Sequence, residues 1–563
     1  MEALDNQQLS TSPRSGSQSS ASTPKRSRVV ISQSKRGCMT CKYESFPAIV
    51  TRVRLTRHRT RRVKCDEQKP LCWRCIQAGR LCGGYNQGSK ASSPLRPALK
   101  IGVSADSHTE RLSYLAAHVL SLDSDDRPLA TDGIWGRIFL QLLNQYECVK
   151  AAAAAFGAAC ESLLNNAIVE YPSSAWRYYG SALARLRSEL NNETASPESL
   201  ALASLILAGV EILNQHEQNA FAHFLGAVQI LTKTNPNRRG APSADILRTF
   251  RDELVNIDVL IGSYALSRTP TVVYLGFHEA VAGDDVLRKP ELAIKAAMLC
   301  LHRSYQFIES ADRLRYTYPS WKEERDPIMC NAQSDAVGQC CSILDALAAL
   351  STSLQAQISS TTSTQSDAET LADIYVMRAQ LMATIIFLLC VHIPYETGYD
   401  EHLERFRSIV RDAAAAARLR RRTRSGAFKR FSMRPGIGNP LFIVGLKCRD
   451  PPLRALATRM LREQGREGPV DGQIMAAICA RLAALEMESS VPSSPDAPLA
   501  ACDVLETQRV HGYMVPPPRL DGKGRRVVDV VFMWPYPPLA QGLGHADYSG
   551  RDCWIYRSEP IQI

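Results

Sequence analysis

Six cysteines fall between residues 38 and 82: Cys38, Cys41, Cys65, Cys72, Cys75 and Cys82. Cys38-x2-Cys41 and Cys72-x2-Cys75 are chelating pairs, because a two-residue gap turns the chain so that both sulfurs face one metal. Cys65 and Cys82 each follow a pair. Six thiolates cannot furnish two separate tetrahedral sites, which need eight ligands, but they can hold two zinc ions if two sulfurs bridge. RING and LIM arrangements need eight ligands and usually histidine, and His58 is the single histidine of the region. Disulfides fit a chain without a secretory signal poorly. Iron–sulfur ligation stays open in principle, although the basic residues between the ligands do not point to redox work.

Those basic residues belong to a wider asymmetry. Residues 1 to 90 carry 18 Lys or Arg against 5 Asp or Glu, whereas the 563-residue chain as a whole has a net charge of +11. A basic head on a near-neutral body suits an anionic polymer such as nucleic acid.

The segments Arg36-Gly37-Cys38-Met39-Thr40-Cys41-Lys42, Arg61-Arg62-Val63-Lys64-Cys65-Asp66-Glu67-Gln68-Lys69-Pro70-Leu71-Cys72-Trp73-Arg74-Cys75 and Gly79-Arg80-Leu81-Cys82-Gly83-Gly84-Tyr85 together resemble the six-cysteine binuclear zinc cluster of fungal transcription factors. The resemblance implies two zinc ions, with Cys38 and Cys72 bridging, Cys41 and Cys65 completing one site, and Cys75 and Cys82 the other. It implies that Arg61 and Arg62 read a CGG-type triplet in the major groove, that Lys42 and Lys64 lie on phosphate or groove edge, and that Pro70 turns the chain between the halves. Physics agrees on the arginines, whose forked guanidinium matches the two major-groove acceptors of guanine.

One departure stands out. The family has six residues between its second and third cysteines, and this chain has 23, Lys42 to Lys64. Removing Tyr43 to Arg59 leaves Lys42-Thr60-Arg61-Arg62-Val63-Lys64, which restores the spacing. The 17 extra residues correspond to 51 nucleotides and keep the frame. Lys42-Tyr43-Glu44 can be encoded with a donor-like GTATGA, Leu55-Thr56 with a branch-like CTGAC, and His58-Arg59 with an acceptor-like CAYAG. An intron retained in the coding sequence is one reading, and a genuine insertion is the other.

These residues must be presented by a larger chain. Residues 1–34, rich in Ser, Gln, Thr and Pro, are expected to be disordered, and Lys25-Arg26-Ser27-Arg28 with Lys35-Arg36 suits nuclear import or phosphate binding. The cluster spans 35–85, and residues 86–108 read as a linker. Residues 109–490 follow helical spacing and predict a large all-α regulatory domain, so the fold class is mainly α. Ser196-Pro197 marks a helix start, and Arg177 to Leu190, Ser199 to Val210 and Phe221 to Leu231 are helical stretches. Leu381 to Val391 is too short an apolar run to span a bilayer and reads as a buried helix, so no membrane partner is expected. Ser359 to Asp367 and Ser489 to Ala497 look flexible. Ala413 to Arg434, five alanines followed by RLRRRTRSGAFKRFSMR, reads as a solvated helix face and loop, with a second nucleic-acid patch as the alternative. Residues 491–563 form an extension with a short strand at Val527 to Phe532. The eleven cysteines outside the cluster read as small core residues.

Further stretches resemble the helical middle domain of the same regulators: Trp176-Arg177-Tyr178-Tyr179, Ala208-Gly209-Val210-Glu211-Ile212-Leu213, Gly438-Asn439-Pro440-Leu441-Phe442, Lys447-Cys448-Arg449-Asp450-Pro451, and Arg466-Glu467-Gly468. Val470 stands near the place of a tryptophan usual in the family. From its residues alone, Cys448-Arg449-Asp450-Pro451 reads as a helix end and turn, with an Arg–Asp pair tying the corner. No HExxH, GxSxG or Gly-rich phosphate loop is present, and His545 reads as a loop residue, so no enzyme is expected. The resemblance implies a nuclear, zinc-dependent regulator of RNA polymerase II genes, with double-stranded DNA and the transcription machinery as partners and a small-molecule effector in reach of the helical domain. No sustained heptad runs from Gly83 to Leu122, so monomer and homodimer both stay open. The rival reading is a helical ligand- or partner-binding regulator whose interrupted cluster no longer reads DNA.

Overall fold

The computed structural model describes residues 107–121, 134–164, 173–191, 196–214, 216–233, 242–264, 287–312, 315–316, 327–359, 365–423, 434–464, 466–467, 470–488, 503–516, 519–536 and 553–562. The N-terminal tail, all six cluster cysteines, Lys42, Arg61, Arg62 and Lys64 lie outside the described residues, as do His545 and the basic run 424–433.

Fourteen α-helices dominate the described residues. They are α1 (Ser107–Ser121), α2 (Phe139–Gln145), α3 (Glu147–Leu164), α4 (Ser173–Leu190), α5 (Pro197–Leu213), α6 (Glu217–Lys233), α7 (Ala244–Tyr264), α8 (Pro290–Asp312), α9 (Pro327–Ser359), α10 (Gln365–Cys390), α11 (Leu403–Thr423), α12 (Gly438–Lys447), α13 (Pro451–Gln464) and α14 (Gly472–Met487). The expectation of a large helical domain holds. Helix α5 begins where Ser196-Pro197 predicts, with Pro197 in the first turn. The Ser196 hydroxyl, however, makes no capping bond. Its carbonyl instead accepts from the Ser199 hydroxyl at 2.8 Å.

Helix α3 packs on α1, α4 and α5, and α5 on α6. Gly157 of α3 explains how close α1 comes, because a Cβ there would collide with the Leu112 backbone carbonyl. Gly157→Ala is expected to cost ~1–3 kcal/mol through forced separation of the helices, measured by urea denaturation of the full chain.

Helix α10 is the central element of the second half and contacts α8, α9 and α11. Leu371, Ile374, Val376, Leu381, Ile385, Ile386 and Leu388 are all buried, so apolar residues surround the helix, as befits one enclosed by others. The run Leu381 to Val391 forms its C-terminal part and ends just beyond it. By length and composition α9 and α10 could each cross a membrane, but the apolar stretch of α10 is 78% buried within the fold. Packing, rather than the shortness of the run, marks it as a core helix. In α11, Phe406, Ile409, Val410, Ala413 and Ala416 are buried at helical spacing. Ala413 and Ala416 are thus core residues while Ala414, Ala415 and Ala417 are half-buried, and Arg420 beyond them pairs with Asp373 of α10 at 3.3 Å.

Strands β1 (Arg466–Glu467) and β2 (Val470–Asp471) form a short antiparallel pair before α14. The C-terminal segment builds an antiparallel sheet from β3 (Gly512–Met514), β4 (Arg519–Leu520), β5 (Arg526–Pro535) and β6 (Trp554–Gln562). The expected strand at 527–532 is β5, which pairs with the other three, with Phe532 opposite Tyr513 and Arg557. The turn from β4 to β5 needs Gly524 at φ +75, where its N–H donates to the Asp521 carbonyl at 3.0 Å. This sheet shares the helical core: Val510, Tyr513, Val528, Val530, Phe532 and Ile561 join the same apolar cluster as α10 and α14.

Candidate functional site

Two of the sequence stretches singled out above meet in space. Tyr179 of α4 donates through its hydroxyl to Glu211, which lies on α5 amid a run buried from Ser199 to Leu213. Burial alone would raise the carboxyl of Glu211; donation from His216 (2.8 Å) and from Tyr179, with help from Asn219 (3.2 Å), outweighs it and holds Glu211 ionised. Burial and then the neighbouring carboxylate push the Tyr179 phenol upward, so it remains a donor. His223 lies 3.0 Å from the same hydroxyl, and Trp176 stacks on His216. Both oxygens of Glu211 are occupied by neighbours, so the cluster satisfies a buried charge and leaves no oxygen free to act on a substrate.

A larger polar centre surrounds Glu396, in the 3-10 turn Glu396–His402 that follows α10, and Glu486 on α14. Both are 0–1% exposed. Glu396 receives Lys447 at 2.7 Å, Arg449 at 3.2 Å and Arg315 at 3.3 Å. Glu486 receives Arg449 at 2.7 Å and Arg454 at 2.8 Å, and it also accepts the Val510 backbone N–H at 2.9 Å. Arg449 is therefore a bridge between two buried carboxylates, a task that its fork suits. The Lys447-Cys448-Arg449-Asp450-Pro451 stretch is a helix end and turn, as expected, with Cys448 extended between α12 and α13. Its ion pairing differs from expectation. Asp450 accepts the Leu453 N–H at 3.0 Å as the cap of α13, and Arg449 points into the core. Sequence proximity favours Asp450, but the buried carboxylates win because they have no water to satisfy them.

The C-terminal segment closes this centre. Arg509, 1% exposed, forks onto Asp400 at 2.8 and 2.7 Å. Glu506 accepts the backbone N–H groups of Glu396 and Thr397, both at 2.8 Å. His511 sits 2.9 Å from Glu506 and 3.2 Å from the Tyr316 hydroxyl. These long-range partners carry no local sequence signal, and the sequence reading left the segment without a role.

The pH response follows from these groups. Burial would raise Glu396, but Lys447, Arg449 and Arg315 outweigh it and hold its carboxyl far below the usual range. Glu486 and Glu506 are likewise lowered against burial, by Arg449 and Arg454 and by His511 respectively. A carboxyl lowered in the fold contributes stability above its unfolded value of about 4.3 and loses it as pH falls further. Burial lowers His511 against the pull of Glu506, so the fold favours neutral imidazole and loses stability as pH drops below about 6.5. Asp312, raised by burial, acts in the opposite sense. Helical signal in urea should therefore fall in two stages, beginning below about pH 6.5 and steepening below about pH 4.3.

Among the described residues, no three His, Cys, Asp or Glu side chains come together as a metal site. The ten described cysteines beyond the cluster are free, and seven of them, including Cys148 and Cys479, are buried, as expected of small core residues; Cys330, Cys341 and Cys553 are part-exposed.

Residues 57–92 match the fungal Zn(2)-Cys(6) binuclear cluster domain, a domain that binds two zinc ions. The match takes in Cys65, Cys72, Cys75 and Cys82, begins inside Tyr43 to Arg59, and leaves Cys38 and Cys41 outside. Residues 130–275 match the fungal specific transcription factor domain, which includes Tyr179 and Glu211. The chain is 34% identical over 73 residues to an uncharacterized transcriptional regulatory protein of Schizosaccharomyces pombe, covering 13% of this chain and 10% of that protein. It is 42% identical over 60 residues to the transcription regulator lscL of Purpureocillium lilacinum, covering 7% of this chain and 14% of that protein. The similarity thus spans a small part of each relative. No solved structure matches the chain. With a match to the binuclear cluster domain near its N-terminus and a match to the transcription factor domain within its helical body, the chain is similar to the fungal Zn(2)-Cys(6) cluster transcription factors.

Proposed function

We propose that the protein is a nuclear, zinc-dependent regulator that binds double-stranded DNA at CGG-type triplets. In this reading Cys38, Cys41, Cys65, Cys72, Cys75 and Cys82 hold two zinc ions, Arg61 and Arg62 read guanines, and Lys42 and Lys64 engage phosphate or groove edge. The observation that carries the reading is the cysteine spacing, which becomes regular once Tyr43 to Arg59 is removed. The start of the family match at residue 57, within that segment, supports treating it as extra. Both curated relatives bear names of transcription regulators. The helical body is the part available to the transcription machinery, to a small-molecule effector or to a second copy of the chain.

The extra segment separates metal binding from DNA reading. Lengthening the closed loop from 6 to 23 residues costs roughly 1.2 kcal/mol. Structural zinc binding is worth roughly 10–16 kcal/mol, so metal is retained. In the family that this chain resembles, a short helix after the second cysteine enters the major groove, and here that helix would run into Pro47, which interrupts helical hydrogen bonding. Misplacing both arginines forfeits roughly 1–3 kcal/mol each. The form lacking Tyr43 to Arg59 should therefore bind a CGG half-site at least about thirtyfold more tightly than the form containing it. A gel shift with both forms at one fixed salt concentration tests this. Equal affinity and sequence preference would favour the rival reading if both were weak, and a tolerated insertion if both were strong. Sequencing the transcript across codons 40–65 decides whether the segment is spliced out.

A further inference from the structure

Two thiols outside the cluster are held against each other in the helical body. Cys300 of α8 and Cys340 of α9 are 2% and 0% exposed, with their Sγ atoms 3.4 Å apart. The Ser304 hydroxyl, also buried, lies 3.4 Å from the Cys340 sulfur. Cys340 therefore has two potential hydrogen-bond donors beside it, Cys300 and Ser304. Hydrogen bonding from Cys300 lowers the Cys340 thiol against its burial, while the same bond and burial raise Cys300. Two sulfurs this close on neighbouring helices are placed to join as a disulfide.

The setting supplies a route in. The buried residues of α9 are Cys340, Ile343, Leu347, Ser351 and Leu354, a single stripe that begins at Cys340. From Pro327 to Gln339 no residue of the helix is buried. Local opening of these outer turns, whose Met329, Ala336 and Val337 are only part-buried, is the access that Cys340 would need.

We propose that Cys300 and Cys340 are a peroxide-responsive pair that closes into a disulfide and ties α8 to α9. The Cys340 sulfur attacks one oxygen of hydrogen peroxide, the O–O bond breaks, and Cys340 sulfenic acid and hydroxide form. The Cys300 sulfur then attacks the sulfenic sulfur, its proton leaves with the sulfenic oxygen as water, and the S–S bond forms. The two electrons lost by the thiols reduce the peroxide. Cys341 is the internal control: it is more exposed, yet burial and the adjacent Cys340 raise its thiol.

The test uses the full chain treated with hydrogen peroxide, quenched, denatured and alkylated with N-ethylmaleimide. Digestion with trypsin and then Asp-N releases residues 296–303, which carry Cys300, and 335–344, which carry Cys340 and Cys341. The expected product is these two peptides joined, two hydrogens lighter than their sum, with alkylation lost at Cys300 and Cys340 together. The product should persist in Cys341→Ser and vanish in Cys340→Ser and Cys300→Ser. It should return to the separate peptides on reduction. Full alkylation of Cys300 and Cys340 at peroxide doses that oxidise Cys330 or Cys341 would overturn the proposal. So would a joined product that vanishes in Cys341→Ser and persists in Cys340→Ser. Because Cys341 is part-exposed, that variant decides the assignment even if a buried substitution impairs folding.

Discussion

Cys72→Ser should strip both zinc ions from the cluster, whereas Cys41→Ser should leave about one. In the proposed ligand set Cys72 bridges the two metals, so its loss breaks both tetrahedra, while Cys41 serves one ion. Each structural zinc is worth roughly 10–16 kcal/mol of folding free energy, which a module this small cannot replace by packing. Without the cluster, binding should fall to the sequence-independent level, a loss of at least roughly 10³-fold on a CGG half-site. Atomic emission gives the zinc content, and a gel shift with the form lacking Tyr43 to Arg59 gives the affinity. The helical signal should be unchanged, since the described helices contain no metal site of their own. Equal zinc loss in the two variants would remove the bridging assignment.

The second large effect is expected at Arg449. Its side chain is fully buried and lies between Glu396 and Glu486. Truncation to alanine leaves two buried carboxylates short of a cation, and breaking such a pair costs about 3–5 kcal/mol. Lys447, Arg315 and Arg454 remain to limit the damage, so the chain should still fold at neutral pH. Arg449→Lys should fall between the two, because one ammonium cannot fork across both carboxylates. Asp450→Asn should be nearly neutral, since asparagine caps a helix as well as aspartate does. Urea denaturation read by far-UV circular dichroism measures all three. Hydrogen exchange at the Val510 amide provides a local readout, because Glu486 accepts that N–H. An Arg449→Ala variant within about 0.5 kcal/mol of the parent would show that the bridge is dispensable.

This centre gives the C-terminal segment a physical role. Arg509, Glu506 and His511 insert beside Asp400, Glu396 and Tyr316 at the edge of the polar centre, and β5 and β6 add apolar contacts to the shared core. The segment is thus bound to the helical body by the Arg509–Asp400 pair and by the bonds that Glu506 accepts from the Glu396 and Thr397 N–H groups. Cys300 of the proposed pair lies on α8, the helix that leads to Arg315, so a bond between α8 and α9 would restrain one support of the centre.

Some of this was legible in the residues alone, for a physical reason. Metal chelation depends on sulfurs a few residues apart, so the spacing of Cys38 to Cys82 carries the proposed zinc module and makes Tyr43 to Arg59 stand out as extra. Helical spacing is equally local, and α4, α5 and α6 fall where apolar residues recur every three or four positions. The strand at 527–532 followed from its run of valines, whereas β6, with Arg557, Glu559 and Pro560 among its residues, has no comparable pattern. Partner choice is another matter. Arg449 stands next to Asp450 yet binds Glu396 and Glu486, and Tyr179 finds Glu211 on another helix. Buried charges take whatever counter-charge the packing brings within reach. The sequence by itself determined the cysteine spacing and the helical class; only the tertiary structure decided which buried charges meet, that the C-terminal sheet joins the helical core, and that Cys300 faces Cys340.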